Sequence, residues 1–135
     1  MAECARCGDF TDNQAQKKYN YCNDCEDLFK EIRNSGIVIE PLGRPKGYDI
    51  RITSSKKGYS GGRESNQIDA LARGQWLMDE LNVRGIFTYH GSGSIWPVEE
   101  YLEAHPKINR KVQNRIARVP EKTRVGLLSR IKNLF

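Results

Sequence analysis

The clearest hydrophobic pattern in the chain is an alternation of apolar and polar residues over YDIRITS, residues 48–54. A period of two predicts a strand that buries one face and exposes the other. IVIEPL, residues 37–42, and GIFTYH, residues 85–90, predict two further strands. The stretch SSKKGYSGGRES, residues 54–65, is rich in Gly and Ser and predicts a loop between a strand and the helix that follows.

Apolar residues spaced by three and four positions predict helices elsewhere. The sequence CNDCEDLFKEI predicts a helix that begins just after Cys22. Residues 66–81 predict a second helix, which Asn66 can cap, with Asp69 three residues on in the manner of a capping box. PVEEYLEA, residues 97–104, predicts a third helix with proline in its first turn.

The last 30 residues are amphipathic and strongly basic. PKINRKVQNRIARV, residues 106–119, predicts a helix with one apolar stripe, made of Ile108, Val112, Ile116 and Val119. After Pro120 a second helix is expected, and its apolar stripe consists of Val125, Leu128, Ile131 and Phe135.

The order of these elements predicts the α+β fold class. We expect a small Cys4 zinc finger over residues 1–35 and a compact mixed α/β domain over residues 36–105. A basic helical tail is expected over residues 106–135.

Four cysteines provide the strongest chemical signal in the chain. Cys4 and Cys7 form one C-x2-C pair, and Cys22 and Cys25 form a second. Two such pairs present four thiolates to one tetrahedral Zn²⁺, so the spacing predicts a structural zinc site. A rubredoxin-like iron site is the main alternative, and a disulfide or redox pair fits less well, because that chemistry needs only one C-x2-C pair.

The cysteine spacing also has a family resemblance. The sequence predicts a knuckle, then a hairpin with its turn at DNQ and its returning strand at KKYNY, and then a helix entered through the second cysteine pair. This arrangement resembles a treble-clef or zinc-ribbon type finger. The resemblance covers residues 1–35 alone. Because four thiolates complete the tetrahedron, no position is left for water or substrate, and we expect the metal to be a scaffold.

Charge is distributed unevenly along the chain, which has a formal net charge of +5. The last 30 residues hold nine of the 22 Lys and Arg but a single acid, Glu121. A second basic stretch covers residues 44–63. Such segregation predicts an anionic partner, and nucleic-acid phosphates are the first candidate. The predicted contacts are Arg44, Lys46, Lys56, Lys57, Arg63, Lys107, Arg110, Lys111, Arg115 and Arg118.

The glycine-rich loop and the tail each have alternative interpretations. The loop can hold a phosphate on its backbone amides, but it lacks the Gly-Lys-Ser/Thr ending of a Walker A motif, and a solvated connection fits as well. The tail also suits a membrane surface. A third alternative is a protein groove or self-association through Val125, Leu128, Ile131 and Phe135. Packing of the tail on the body is compatible with all of these.

No arrangement of catalytic residues is recognisable, and we expect a protein that is not an enzyme. His90 precedes Ser92 and Ser94, but no G-x-S-x-G pattern or acidic partner accompanies them, and His105 fits a helix boundary. The aromatic residues suit a hydrophobic core better than base stacking: Trp76, Trp96, Tyr89 and Tyr101.

The sequence therefore predicts a small zinc-stabilised nucleic-acid-binding protein that contacts phosphates without reading sequence, with DNA slightly preferred. The alternative is a zinc-containing adaptor or assembly subunit that docks through its C-terminal helix. No apolar run approaches the length of a membrane span, and the N-terminus lacks the apolar segment of a signal peptide. We accordingly expect a cytoplasmic protein in a reducing compartment.

Overall fold

The computed structural model describes residues 2–12, 19–43, 46–54, 58–89 and 93–118. The strands are β1 Ala2–Glu3, β2 Phe10–Thr11, β3 Gly36–Gly43, β4 Gly47–Thr53, β5 Tyr59–Glu64, β6 Gly85–Thr88 and β7 Ile95–Pro97. The helices are α1 Asn23–Asn34, α2 Gln67–Leu81, α3 Val98–Ala104 and α4 Pro106–Ile116.

A mixed five-stranded sheet forms the centre of the structure. Its strand order is β5-β4-β3-β6-β7, in which β3 and β6 are parallel and all other neighbours are antiparallel. The remaining strands, β1 and β2, pair with each other near the N-terminus. Sheet and helices together confirm the predicted α+β fold class.

One face of the sheet, here called the α2 face, is covered by α2. The alternation predicted for residues 48–54 is confirmed, because Tyr48, Ile50 and Ile52 are buried there. They pack with Ile37 and Ile39 of β3 and with the apolar side of α2. The side chain of Asn66 accepts a hydrogen bond from the Asp69 amide, which confirms the predicted cap of α2.

The opposite face of the sheet, here called the α1 face, is covered by α1 over its central strands. Val38 of β3 and Ile86 of β6 are buried against Phe29 and Ile32 of α1. Two of the cysteines belong to the same cluster. The cysteine region therefore sits on the side of the sheet opposite to α2, and it shares a small hydrophobic core with the sheet.

The predicted loop at residues 54–65 is wrong in part, because Tyr59–Glu64 forms strand β5 at one edge of the sheet. Gly61 lies so close to β4 that an added Cβ would stand 2.9 Å from Ile50 Cγ2. The glycine serves close strand packing here rather than a flexible turn. Residues 95–97, where no strand was predicted, form the other edge strand, β7, and the helix expected from Pro97 begins at Val98.

The predicted basic helix is present as α4 and packs on α2. Val112 is completely buried in the core of the α2 face, and Ile108 and Ile116 pack against that core. These are the described members of the predicted apolar stripe. Val119 and the second tail helix, with its stripe of Val125, Leu128, Ile131 and Phe135, lie outside the described residues. The predicted division at residues 35 and 105 stays a prediction.

The predicted hairpin inside the finger is not found as expected. Residues 19–21, the described part of the predicted returning strand, are not in a strand, whereas Phe10–Thr11 pairs back onto Ala2–Glu3. The Ala5 amide instead donates a hydrogen bond of 2.7 Å to the Asn20 carbonyl. This backbone contact joins the two cysteine-bearing segments in a region for which a hairpin was predicted.

Candidate metal centre and basic surface

The four cysteines converge at the N-terminal end of α1. Cys4 follows β1 and is buried, whereas Cys7 is exposed in the turn that follows. Cys22 is the N-cap residue of α1, and Cys25 is buried in its first turn. All four Sγ atoms lie within 4.8 Å of one another, and the Sγ atoms of Cys7 and Cys22 are 3.6 Å apart.

The first cysteine pair is held by a tight turn. The Cys4 amide donates to the Asp9 carbonyl at 2.7 Å, and the Gly8 amide donates to the Cys4 carbonyl at 3.0 Å. Gly8 has a φ of +81°, which is left-handed backbone that favours glycine. The turn folds the chain back on itself, so that both sulfurs of the pair face the second pair.

This geometry fits a tetrahedral metal ion. With Zn–S bonds of about 2.3 Å, the sulfurs of a tetrahedral site lie about 3.8 Å apart, close to the separation seen between Cys7 and Cys22. An all-thiolate donor set suits zinc or iron and does not suit magnesium or calcium. The four cysteines therefore form a candidate metal site, and the donor set leaves no ligand position for chemistry.

Burial and hydrogen bonding shift the pKa values of the Cys4 and Cys25 thiols in opposite directions. Burial raises the pKa of Cys25 to about 12, against the opposing effect of a 3.3 Å hydrogen bond from Arg6 Nη1 to its sulfur. Burial also disfavours the Cys4 thiolate, but hydrogen bonds from the neighbouring backbone outweigh it and lower the pKa of Cys4 to about 6. A bound dication would hold all four groups as thiolates.

Arg6 connects the cysteine cluster to the rest of the protein. Besides Cys25, its guanidinium contacts the carboxylate of Glu100 in α3 through two nitrogens, and the Nε–Oε2 distance is 3.0 Å. The hydrogen bond to Glu100 is the main reason that the pKa of Arg6 is raised. A second connection runs from the Ile95 amide of β7 to the Tyr21 hydroxyl, at 2.8 Å. Both contacts hold the finger against the sheet.

We expect the contact between Arg6 and Glu100 to be worth about 1 kcal/mol, because both side chains are partly exposed to solvent. A double-mutant cycle with Arg6→Gln and Glu100→Gln, measured by urea unfolding of the metal-loaded protein, gives this coupling energy. Glu99→Gln is the matched control, since Glu99 is exposed and lies in the same first turn of α3. A coupling energy of zero would show that the contact does not hold the finger in place.

The predicted nucleic-acid contacts lie in several environments. Six are exposed: Lys46, Arg63, Lys107, Arg110, Lys111 and Arg118. Arg115 is partly buried and contacts Asp69, with Nε 2.9 Å from Oδ1. Arg44, Lys56 and Lys57 lie outside the described residues.

The solvent-exposed side of α4 is entirely basic or neutral. The helix contains no acidic residue, and its burial pattern turns Val112 towards the core while Lys107, Arg110 and Lys111 face solvent. Since α4 is anchored by its apolar stripe, its cations stand on a fixed element rather than on a mobile chain. We call this exposed side, with Arg118 just beyond it, the α4 basic face.

The structure brings parts of the two predicted basic segments close to the start of α2. On one side, Gly47 lies against the backbone of Glu64 and Ser65, which places Lys46 beside the residues that lead into α2. On the other side, Arg115 of α4 pairs with Asp69 in the first turn of α2.

The aromatic residues and the histidines occupy varied positions. Trp76 and Tyr101 are buried in the core, as predicted, whereas Tyr89 is 37% exposed. The His105 ring stacks on Tyr101, with ring centroids 4.2 Å apart. His90 lies outside the described residues.

Sequence reasoning missed Arg6, Glu100 and Tyr21 as parts of the finger's attachment. The arginine inside the first C-x2-C pair was a usable signal, because a cation next to thiolates stabilises them. Glu100 was not predictable, since 94 residues separate it from Arg6.

Comparison with known proteins adds no family assignment, because no protein-family model, curated protein or solved structure matches this chain. Within the part of the chain that the structure describes, each helix is too short or too polar to cross a lipid bilayer.

Proposed function

We propose that this chain is a small nucleic-acid-binding protein whose Cys4 site holds a structural Zn²⁺. The metal folds the N-terminal finger against the α1 face, and the α4 basic face contacts phosphates on the other side of the sheet. Binding is of the backbone type, with DNA slightly preferred over RNA and without sequence readout. The protein is not an enzyme in this proposal.

The observation that carries the proposal is the α4 basic face. Lys107 and Arg118 are eleven positions apart, so this face extends over roughly 16 Å, from the first turn of α4 to the turn that follows the helix. A row of cations of this length spans about five base steps of a duplex and can release counterions from several phosphates. No carboxylate of α4 interrupts the row. Lys46, near the residues that lead into α2, adds a further exposed cation outside α4.

Zinc is favoured for the Cys4 site by its donor set and by its closed coordination. Four thiolates supplied by two C-x2-C pairs are usual ligands of structural zinc fingers. Iron in the same geometry stays the alternative metal, and metal analysis of the purified protein distinguishes the two, because a rubredoxin-like iron site is coloured and zinc is not.

The proposal is tested by fluorescence anisotropy of a labelled DNA duplex titrated at several salt concentrations. We expect Arg110→Gln to reduce the slope of log K against log salt by about 0.9, and the double variant with Lys111→Gln to reduce it by about twice that amount. Arg84→Gln is the control, since Arg84 is exposed but lies between α2 and β6, outside the α4 basic face.

A slope that stays unchanged in the Arg110→Gln and Lys111→Gln double variant would contradict the assignment to α4. The absence of duplex binding by zinc-loaded, folded protein at low salt would contradict nucleic-acid binding altogether. The adaptor function would then become the leading hypothesis. Its proposed docking stripe, from Val125 to Phe135, lies outside the described residues.

A further inference from the structure

A crevice of about 880 Å³ lies between the finger and the sheet on the α1 face. It lies at the carboxyl ends of the two parallel strands, because Glu40 and Pro41 near the end of β3 and Thr88 at the end of β6 line it. In open α/β sheets of parallel strands, ligands bind in a crevice at this end of the strands, and the pairing of β3 with β6 is parallel. The volume is in the range of small-molecule sites.

The walls of the crevice combine aromatic rings with charges of both signs. Tyr19 and Tyr21 come from the segment that leads into the second cysteine pair, and Phe29 comes from α1. The rings of Tyr21 and Phe29 meet edge to face, with centroids 5.0 Å apart. Lys30 and Arg33, one turn apart on α1, supply cations at the same opening.

Two carboxylates complete the lining, those of Glu26 on α1 and Glu40 on β3. An ion pair with Arg51, at 2.9 Å, orients the Glu40 carboxylate. Ionised carboxylates only accept hydrogen bonds, so they favour a ligand with amino hydrogens on its polar edge. They also disfavour a ligand that is anionic throughout, because like charges repel.

We propose that this crevice binds a nucleotide, with its base against Tyr19 and its phosphate on Lys30 and Arg33. A planar base suits the aromatic wall, since aromatic side chains stack on any base. A single phosphate matches the two cations, and the exocyclic amino group of cytosine or adenine matches the carboxylates. The same chemistry is offered by a free mononucleotide and by an unpaired nucleotide of a single strand.

This site is distinct from the α4 basic face, and its occupancy does not depend on duplex binding by α4. It does depend on the Cys4 site, because the finger supplies Tyr19 and Tyr21. The contacts that dock the finger, from Arg6 to Glu100 and from Tyr21 to Ile95, also hold this wall of the crevice in place.

The test is isothermal titration of the full-length, zinc-loaded protein with CMP, UMP, cytidine and ribose 5-phosphate. We expect CMP to bind at least tenfold more tightly than UMP, which presents a carbonyl where CMP presents the amino group. Cytidine lacks the phosphate and ribose 5-phosphate lacks the base, so each should bind at least tenfold more weakly than CMP. Tighter binding of oligo(dC) than of CMP points to the strand as the source, whereas a site that binds CMP and excludes oligo(dC) points to the free nucleotide.

Variants assign the binding to the crevice. Tyr19→Leu and Lys30→Gln should each weaken CMP binding about tenfold. Phe10→Leu is the matched control for the aromatic change, because Phe10 belongs to the same finger but is 70% exposed and does not line the crevice. Amide chemical shifts of Thr88 and Ile95 that move on titration would place the ligand at the strand ends.

The inference is overturned if neither CMP nor oligo(dC) binds, or if both bind equally well to the Tyr19→Leu and Lys30→Gln variants. Equal affinity for CMP and UMP would remove the role given to the carboxylates. Loss of duplex binding in the Arg110→Gln and Lys111→Gln variant, with CMP binding retained, would show two separate sites. A Tyr19→Leu variant that loses CMP binding and retains duplex binding would likewise show two separate sites.

Discussion

Replacing Cys25 with serine is expected to abolish stoichiometric zinc binding and to unfold the finger. Cys25 is one of the four thiolates, and serine is a far poorer ligand for zinc at neutral pH. Structural zinc contributes folding free energy directly, so the loss should amount to about 4 kcal/mol or more. Because α1 shares its apolar side with Val38 and Ile86, the damage should reach the α1 face of the sheet.

Substitution of the exposed cysteine, Cys7, separates the contribution of the metal from the contribution of core packing. Cys7→Ser removes a thiolate whose side chain is exposed and contributes little to the core, whereas Cys25 is 1% exposed. If the metal is the scaffold, both variants should lose zinc in elemental analysis and lose stability in thermal unfolding. Chelation of the parent protein should lower the melting temperature in the same way. A Cys7→Ser variant that keeps full stability without zinc would rule out the scaffold role.

The metal ligands were predictable because their geometry is set locally. Each C-x2-C pair lies within a single turn, and the second pair lies at the start of α1, so sequence spacing translates directly into sulfur positions. The strand at residues 48–54 was predictable for a similar reason, since the pleat places alternate residues on opposite faces. Local patterns of this kind need no knowledge of the partner strand or helix.

Strand β5 was not predictable from the same patterns, because its glycines are required by close contacts with other parts of the fold. Gly61 allows β5 to approach Ile50 and Leu77, and Gly62 faces the guanidinium of Arg73. In the sequence, a segment this rich in glycine has the composition that is typical of a loop. What identifies the segment as a strand is the neighbouring strand β4, which a single sequence does not reveal.

The arrangement of the charged residues was likewise only partly predictable. The segregation of basic residues into two segments is visible in the sequence, and most of those described are exposed, as the proposed phosphate contacts require. The pairing of β4 with β5 brings Lys46 near the residues that lead into α2, and the packing of α4 on α2 brings Arg115 to Asp69 in its first turn. The crevice at the ends of β3 and β6 depends in the same way on a parallel pairing between distant segments.

Gly47→Ala is expected to be among the most destabilising single changes in the sheet, at about 4 kcal/mol or more. Its φ of +81° is left-handed, which costs an L-residue roughly 1–2 kcal/mol. In addition, a Cβ at this position would lie far inside van der Waals contact with the Glu64 carbonyl and 2.8 Å from Ser65 Cα. Both are backbone atoms, so no side-chain rotation can relieve the clash.

Gly43→Ala supplies the matched control. Gly43 has nearly the same φ, +83°, but among the described residues no atom lies within 4 Å of its added Cβ. Urea unfolding should therefore show a loss of only about 1–2 kcal/mol for Gly43→Ala, from backbone strain alone. The difference between the two variants measures how closely the backbone before α2 approaches the start of β4. Equal losses would contradict that approach, and the placement of Lys46 beside the residues that lead into α2 would then be wrong.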